Sequence, residues 1–353
     1  MHISLILTVL NEARSLPRLL DSIAAQTRAP DEIIIVDGGS TDGTIDLLRA
    51  HADRLPLAII SQPGANISQG RNAAIRAATG DLICSTDAGV WLDAHWIEEL
   101  VQPLEKDEGG STLAPHASAG VKYEKVDSSF ILHPSSLDVV AGFFIPDPQT
   151  VFETALAATT LPALADIRPE KFLPSSRSIA FRKAAWEKVC GYPEWLDFCE
   201  DLIFDCALRD AGYGFAFAPG AVAHFRPRAS LRAFFKQYYQ YARGDGKANL
   251  WFKRHIIRYL TYLVALPLAL VLLFVLPLLG FAILVLGFLV MFFTPYKRLT
   301  PMLRSKSFLD RLGALAWVPV IRVAGDIAKM IGYPVGVVWR MRNRTRIVAE
   351  ERG

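Results

Sequence analysis

The sequence predicts an α/β fold with a mostly parallel sheet, followed by a transmembrane helical hairpin and an amphipathic C-terminal helix. Three observations carry this expectation. Short apolar runs alternate with helical patterns over residues 1–104, carboxylates and glycines stand where those runs end, and residues 259–293 contain no charged side chain.

Residues 3–9 ("ISLILTV") read as a buried strand, and Leu16, Leu19, Leu20 and Ile23 follow at helical spacing. Residues 33–36 make a second strand, after which Ile45 and Leu48 open a helix. "LAII" at 57–60 is a third strand, and "SQGRNAAIRAATG" is an alanine-rich helix closed by Gly80. "DLICST" is a fourth strand that leads to Asp87. Asp93 then reads as the N-cap of a helix carrying Ile97, Leu100, Val101 and Leu104. Strands and helices in strict alternation predict a parallel sheet covered on both faces. The pattern weakens between residues 108 and 173. It returns as a strand and short helix in "RSIAFRKAAWEKVCGYPEW", and as a helix ended by Gly212 plus another strand in "CEDLIFDCALRDAGYGFAFAP".

The uncharged run 259–293 is too long for one span. A single helix of that length would reach roughly 50 Å, against a hydrocarbon core of about 30 Å. Pro277 and Gly280 near its middle predict a hairpin of two short spans, about 259–276 and 279–293, with a re-entrant shape as the alternative. Lys253, Arg254 and Arg258 precede it, and Lys297, Arg298, Arg304, Lys306 and Arg311 follow, which puts both flanks on the cytoplasmic side. Further on, Arg322, Asp326 and Lys329 share one helix face, as in a helix lying in the membrane surface. The basic tail of Arg340, Arg342, Arg344 and Arg346 suits anionic headgroups. The expected divisions are a catalytic domain over 1–252, a membrane hairpin over 253–298 and an interfacial region over 299–353.

Bulk composition excludes several classes. The formal charge of +3 is too small for a surface built around nucleic acid, so no nucleic-acid partner is expected. The four cysteines include no Cys-x-x-Cys pair and read as reduced structural thiols. The N-terminus "MHISLILTVLNEARS" reads as a first strand, not a signal peptide. Neither G-x-G-x-x-G nor G-x-x-x-x-G-K-[ST] occurs, which argues against dinucleotide and P-loop sites. The Asn66 and Asn343 sequons are chance matches in a chain expected to face the cytosol.

What remains is a set of carboxylates at strand ends: Glu12, Asp37 and Asp87. Open α/β sheets bind ligands at that edge, and the glycines of "IIIVDGGSTDGT" allow a low loop there. Such carboxylates accept hydrogen bonds from a base or ribose, or hold a divalent cation beside a diphosphate. Asp37 can equally be a turn aspartate bonding its own backbone, and Asp42 reads as a helix cap.

The motifs "VLNEARSLPRLLDSI", "IIIVDGGSTDGT", "GRNAAIRAATGDLICSTDAG" and "CEDLIFDCALRDAGY", in that order, resemble the family 2 inverting glycosyltransferases of GT-A fold. The resemblance covers about residues 3–245, with the middle poorly matched, and the hairpin is similar to that of membrane-bound members. It implies a nucleotide-diphosphate sugar as donor, with Glu12 and Asp37 on base and ribose. Arg71, beside Asn72 at a helix start, would face the diphosphate. Asp87 matches the first acid of a D-x-D motif whose second position here is Gly89, so Mg²⁺ or Mn²⁺ would rest on Asp87, with His224 as a further ligand. Asp201 is implied as the base that deprotonates the acceptor hydroxyl, with Glu200 as its alternative; a helix N-cap is the structural reading of Asp201. "FFKQYYQYARGDG" resembles a variant of the Q-x-x-R-W motif and nominates Gln237, Gln240, Tyr241 and Arg243 for acceptor binding, or for an interfacial aromatic belt.

The resulting expectation is an inverting transferase at the inner or plasma membrane, with its catalytic domain and C-terminus cytoplasmic and a lipid-linked or glycan acceptor. The alternatives are a polyprenyl-phosphate glycosyl synthase and a non-catalytic nucleotide-sugar-binding membrane protein.

Overall fold

A computed structural model describes residues 1–108 and 137–343; Arg344 and Arg346 of the basic tail lie outside the described residues. The chain opens with β1 (Ile3–Val9), α1 (Leu16–Ala24), β2 (Glu32–Asp37), α2 (Thr44–Ala50), β3 (Leu57–Ser61), α3 (Ile67–Ala77), β4 (Leu82–Ser85), β5 (Val90–Leu92) and α4 (Trp96–Glu108). It continues through β6 (Leu137–Pro146), α5 (Val151–Thr160), β7 (Ile179–Arg182), α6 (Lys183–Lys188), α7 (Glu200–Asp210) and β8 (Gly214–Phe225). Helices α8 (Leu231–Lys247), α9 (Phe252–Leu260), α10 (Leu266–Val275), α11 (Pro277–Met302) and α12 (Phe308–Arg342) follow, with a π-helical turn at Thr261–Ala265 between α9 and α10.

Two compact units emerge. One comprises Met1–Ile145, Ile167–Glu194 and Glu200–Phe225; the other comprises Pro146–Asp166, Trp195–Cys199 and the chain from Arg226 onward. The boundary expected at residue 252 therefore falls inside the second unit.

The first unit is built on an eight-stranded sheet of order β3-β2-β1-β4-β7-β6-β8-β5. Its first half is parallel: β1 pairs with β2 and β4, and β2 with β3. The second half is mixed in, because β4 with β7, β6 with β7, and β5 with β8 are antiparallel. Strand β1 shows how both faces are buried. Ile3, Leu5, Leu7 and Val9 face a core shared with α1 and α4, while Ile6 joins Ile34, Val36 and Ile83 in a second core with α3 and α7. Each such side chain contributes about 1.5–3 kcal/mol when fully buried, which fixes the register against slippage.

Four helix starts differ from expectation: Gly43 and not Asp42 stands at the cap of α2, α4 begins at Trp96, three residues past Asp93, and α3 and α7 also differ. Asn66 caps α3 with its side chain and Gln69 answers in a capping box, so Arg71 and Asn72 lie in the second turn. Helix α7 begins at Glu200, so Asp201 belongs to its first turn and is not its N-cap.

The second unit has its own core, formed by Ala155, Leu156 and Ala158 of α5, Phe234 of α8, Phe292 and Leu299 of α11, and Ala314, Val318 and Ile321 of α12. Its α8–α12 contact depends on glycine. A Cβ on Gly332 would stand 2.2 Å from the Tyr239 carbonyl oxygen, and one on Gly336 would stand 2.1 Å from that of Arg243, so the two backbones touch. Arg322, Asp326 and Lys329 do share a face, but it turns into the protein. Asp326 is buried and takes Arg258 Nε at 2.7 Å and the Tyr262 hydroxyl at 3.0 Å. Two helical stretches, Phe252–Val275 of 24 residues and Pro277–Met302 of 26, are long and apolar enough to cross a membrane. Each is longer than the sequence pattern suggests, because the helices run past the uncharged core into their basic flanks.

Candidate active site

The loops after β1 and β2 are knitted together before any ligand is considered. Asn11 accepts from Thr41 N at 2.9 Å, Ser40 Oγ accepts from Asn11 N at 2.8 Å, and Asp42 accepts from Ala13 N at 3.1 Å. Asp37, at the end of β2, accepts from Gly39 N at 3.0 Å and from Ser40 N at 3.1 Å, so it bonds its own turn. Gly39 holds φ of 101° with its α-carbon face against Pro63, a position no larger residue fills without strain. The result is a cavity of about 580 Å³ lined by Asp37, Gly39, Ser40, Arg49, Ser61 and Pro63, among others. Its size and mixture of one carboxylate, hydroxyls and aliphatic walls suit a nucleoside. Arg49, Ser61 and Pro63 carry no sequence signal. Glu12 does not line this cavity; its carboxylate takes the Ser15 hydroxyl and its carbonyl receives Leu16 N at the start of α1.

Arg71 is the hub of a second cluster. Its side chain is 3% exposed, with Nη1 on Glu200 Oε1 at 2.7 Å and Nη2 on Asp87 Oδ1 at 2.9 Å. The Tyr192 ring lies beneath the guanidinium, 5.4 Å from its centre. Burial works against the charge, yet Glu200 and Asp87 more than offset it and hold the guanidinium protonated. Asn72, next in the helix, serves as an anchor. It donates to Tyr192 O and Glu194 Oε1 and accepts from Trp186 Nε1 and Tyr192 N, fixing the segment under Arg71. Arg177, which belongs to no motif, completes the cluster. Its Nε stands 3.4 Å from Asp87 Oδ2, with its guanidinium 4.7 Å from the Phe225 ring. Both oxygens of Asp87 thus face cations.

On α7 three acids lie close together. Asp201 is half-buried, and its Oδ1 accepts from its own helix at Leu202 N, 2.9 Å. Glu200 is buried, and its pKa is pushed up to about 7, first by burial and then by Asp201, against the pull of Arg71. Asp205, one turn on, is 1% exposed, and its Oδ2 has no hydrogen-bond partner among the described residues. Burial, then Asp201, pushes its pKa well above the ordinary aspartate value of 3.8. The native state therefore favours protonated Asp205. That stabilisation is complete below pH 3.8 and is lost as pH rises through the elevated folded value. Asp205→Asn, which mimics the neutral acid, should flatten the fall in melting temperature as pH rises above 3.8 and be at least as stable as wild type once wild-type Asp205 is forced to ionise. Equal destabilisation at every pH would mean that Asp205 is ionised and paired.

No group of three or more His, Cys, Asp or Glu side chains arranged to hold a metal occurs among the described residues. His224 is engaged elsewhere: its Nε2 lies 2.8 Å from Asp93 Oδ1, and its ring stacks on Trp91 at 3.7 Å. A Cβ built at Gly89 meets nothing within 4 Å, so the position is open. The nominated acceptor residues lie on α8 in the second unit. Gln237 donates to the Tyr241 hydroxyl at 2.7 Å, and Gln240 is half-buried. Arg243 pairs with Asp197 at 2.5 Å, together with Lys247 at 2.6 Å.

Residues 4–155 match the family model described as glycosyl transferase family 2, so the chain carries a glycosyltransferase domain of that description. It is 25% identical over 248 residues to the O-antigen chain rhamnosyltransferase RfbN of Salmonella typhimurium, covering 68% of this chain and 71% of that one. It is 35% identical over 111 residues to the undecaprenyl-phosphate 4-deoxy-4-formamido-L-arabinose transferase of Serratia proteamaculans, covering 30% of this chain and 34% of that relative. Its fold matches that of the mannosyltransferase PcManGT from Pyrobaculum calidifontis, solved with GDP-Man and Mn²⁺, at a TM-score of 0.51 and 18% identity over 97% of this chain and 88% of that one.

Proposed function

We propose that this enzyme is an inverting transferase that moves a sugar from a nucleotide-diphosphate donor to a lipid-linked or membrane-proximal acceptor at the cytoplasmic face of a membrane. The observation that carries the reading is the Arg71 bridge, which joins Asp87 to the start of α7 where Asp201 stands. Asp201 takes the acceptor hydroxyl proton as that oxygen bonds to the anomeric carbon, while the bond from the carbon to the diphosphate breaks on the opposite face. Charge growing on the leaving diphosphate is met by Arg71 and Arg177. Asp37 serves the nucleotide, and Gln237, Gln240, Tyr241 and Arg243 serve the acceptor.

The donor set of the protein alone is one carboxylate, Asp87, which fits Mg²⁺ or Mn²⁺ only as an ion that arrives with the diphosphate. Mg²⁺ is commonly bound by one or two carboxylates plus substrate phosphates and water. Such an ion would neutralise diphosphate charge, and His224 would join it only by leaving Asp93. The long apolar helices support membrane attachment, and their basic flanks support the cytoplasmic placement.

The likeness to an undecaprenyl-phosphate transferase favours one second reading, in which the lipid phosphate itself is the acceptor. One experiment tests both. Purified protein is incubated with a panel of nucleotide-diphosphate sugars and a membrane lipid extract, and products are read by mass spectrometry. A glycosylated lipid-linked saccharide is the expected product; an acid-labile sugar phosphodiester on polyprenyl phosphate would select the second reading. Absence of any sugar transfer to lipid would overturn the lipid-linked acceptor.

A further inference from the structure

The second unit contains a cavity that the transfer reaction does not use. It has a volume of about 330 Å³ and is lined by Phe252 and Tyr259 at the start of the first long apolar stretch, and by Tyr333, Pro334, Val337, Val338 and Arg340 of α12. The walls are mostly apolar; the Tyr259 hydroxyl donates to the Met330 carbonyl at 2.6 Å, and two further polar groups remain. Tyr333 is 5% exposed, yet its hydroxyl has no hydrogen-bond partner among the described residues, and neither has the buried Nη1 of Arg340. The nearby acid cannot satisfy them, because Asp245 is held by His255 Nε2 at 3.1 Å, and the His255 ring stacks on Tyr333 at 3.8 Å. Two buried donors without partners, on two residues that line an apolar cavity, call for an acceptor, and the cationic one calls for an anion.

The surroundings say what carries that anion. Phe252, Ile257 and Met341 are 58%, 62% and 72% exposed, so the cavity opens onto apolar surface. Lys253, Arg254 and Arg342 stand in the adjoining turns of α9 and α12. A free phosphate would satisfy the donors but leave the apolar walls uncovered; an acyl chain would cover the walls but leave the donors open. We propose that this cavity seats an anionic membrane phospholipid, its phosphate on Arg340 and Tyr333 and its first acyl carbons against Val337, Val338 and Phe252. The site lies where the apolar stretch begins, which is the depth of lipid phosphates if that stretch crosses the membrane. It rests on the membrane attachment proposed above.

The test uses the whole chain. Flotation with phosphatidylcholine vesicles first measures membrane attachment itself. Protein in neutral detergent is then titrated with phosphatidylglycerol, with phosphatidylcholine of the same acyl chains, and with inorganic phosphate, following the melting temperature. Phosphatidylglycerol should stabilise wild type at concentrations where the other two do not. Arg340→Gln and Tyr333→Phe should weaken that response by about tenfold or more, the range for losing a charge-assisted hydrogen bond. Arg342→Gln, an exposed neighbour, should leave it unchanged. Equal responses to phosphatidylglycerol and phosphatidylcholine, equal losses in all three variants, or an equal response to inorganic phosphate would each overturn the proposal. Protein that floats yet gives any of these results sinks the lipid site alone; protein that does not float sinks the membrane attachment with it.

Discussion

Asp201→Asn is expected to lower sugar transfer by on the order of a hundredfold or more, the usual loss when a general base is removed, while nucleotide binding stays intact. The reason lies in how the two acids at the start of α7 are used. Glu200 Oε1 is committed to Arg71 at 2.7 Å, and its pKa, raised by burial and by Asp201, leaves it partly protonated near neutrality. Asp201 spends one oxygen on Leu202 N and is half-buried, so its other oxygen is open to an acceptor hydroxyl. Glu200→Gln keeps a hydrogen-bond acceptor for Arg71 and should cost transfer less than Asp201→Asn does. Single-turnover kinetics and nucleotide titration of both variants decide the matter. A Glu200→Gln enzyme as inactive as Asp201→Asn, or an Asp201→Asn enzyme near wild-type rate, would move the base to Glu200 or away from this pair.

Arg71→Met should produce the largest loss of stability among substitutions in the site. It leaves Glu200 buried with no counter-charge and deprives Asp87 of its closer partner. Breaking a buried ion pair from one side costs about 3–5 kcal/mol. Asp87 is 29% exposed and keeps Arg177, so the lower end applies. For a domain of this size that corresponds to a fall of roughly 10 °C in melting temperature. The deficit should shrink as pH falls towards about 7, because without the pull of Arg71 the Glu200 carboxyl protonates at higher pH than in wild type and then no longer needs a partner. Arg71→Lys should recover little, since one ammonium does not reproduce the planar fork that spans two carboxylates. A Lys variant as stable as wild type, or a pH-independent deficit in the Met variant, would show that the bridge is not what holds this cluster.

Much of the first half of the sheet is legible in the sequence because its signals are local. The runs 3–9, 33–36 and 82–85 are continuous and apolar because those strands are buried on both faces, and Asp37 and Asp87 stand out where they end. Asp37 also illustrates how two readings can hold together: it bonds its own turn and lines the cavity. What escapes depends on distant pairing. β6 is invisible within a stretch of weak pattern, since its place between β7 and β8 is set by strands that come later in the chain. Arg177 carries no motif; it becomes part of the site because β7 runs antiparallel to β4, which brings Arg177, two residues ahead of β7, beside Asp87. The inward face of α12 resembles that of a helix lying in the membrane surface, because Arg322, Asp326 and Lys329 look solvated unless Arg258 and Tyr262 are known to meet them.

The discontinuous make-up of the second unit imposes an order on synthesis. Helix α5 leaves the ribosome before the first unit is complete, yet its buried residues Ala155, Leu156 and Ala158 find their full set of partners, Phe234 of α8 among them, only when α11 and α12 arrive. Until then an apolar helix waits uncovered, at risk of association with other chains. The first unit, whose last strand is β8, is complete before any of α8 is made. Biogenesis thus has a natural pause: a folded catalytic sheet carrying an unpaired helix, which is finished only once the two long apolar helices have been delivered. Chains stalled before Phe308, where α12 begins, should be the ones that chaperones and proteases recognise.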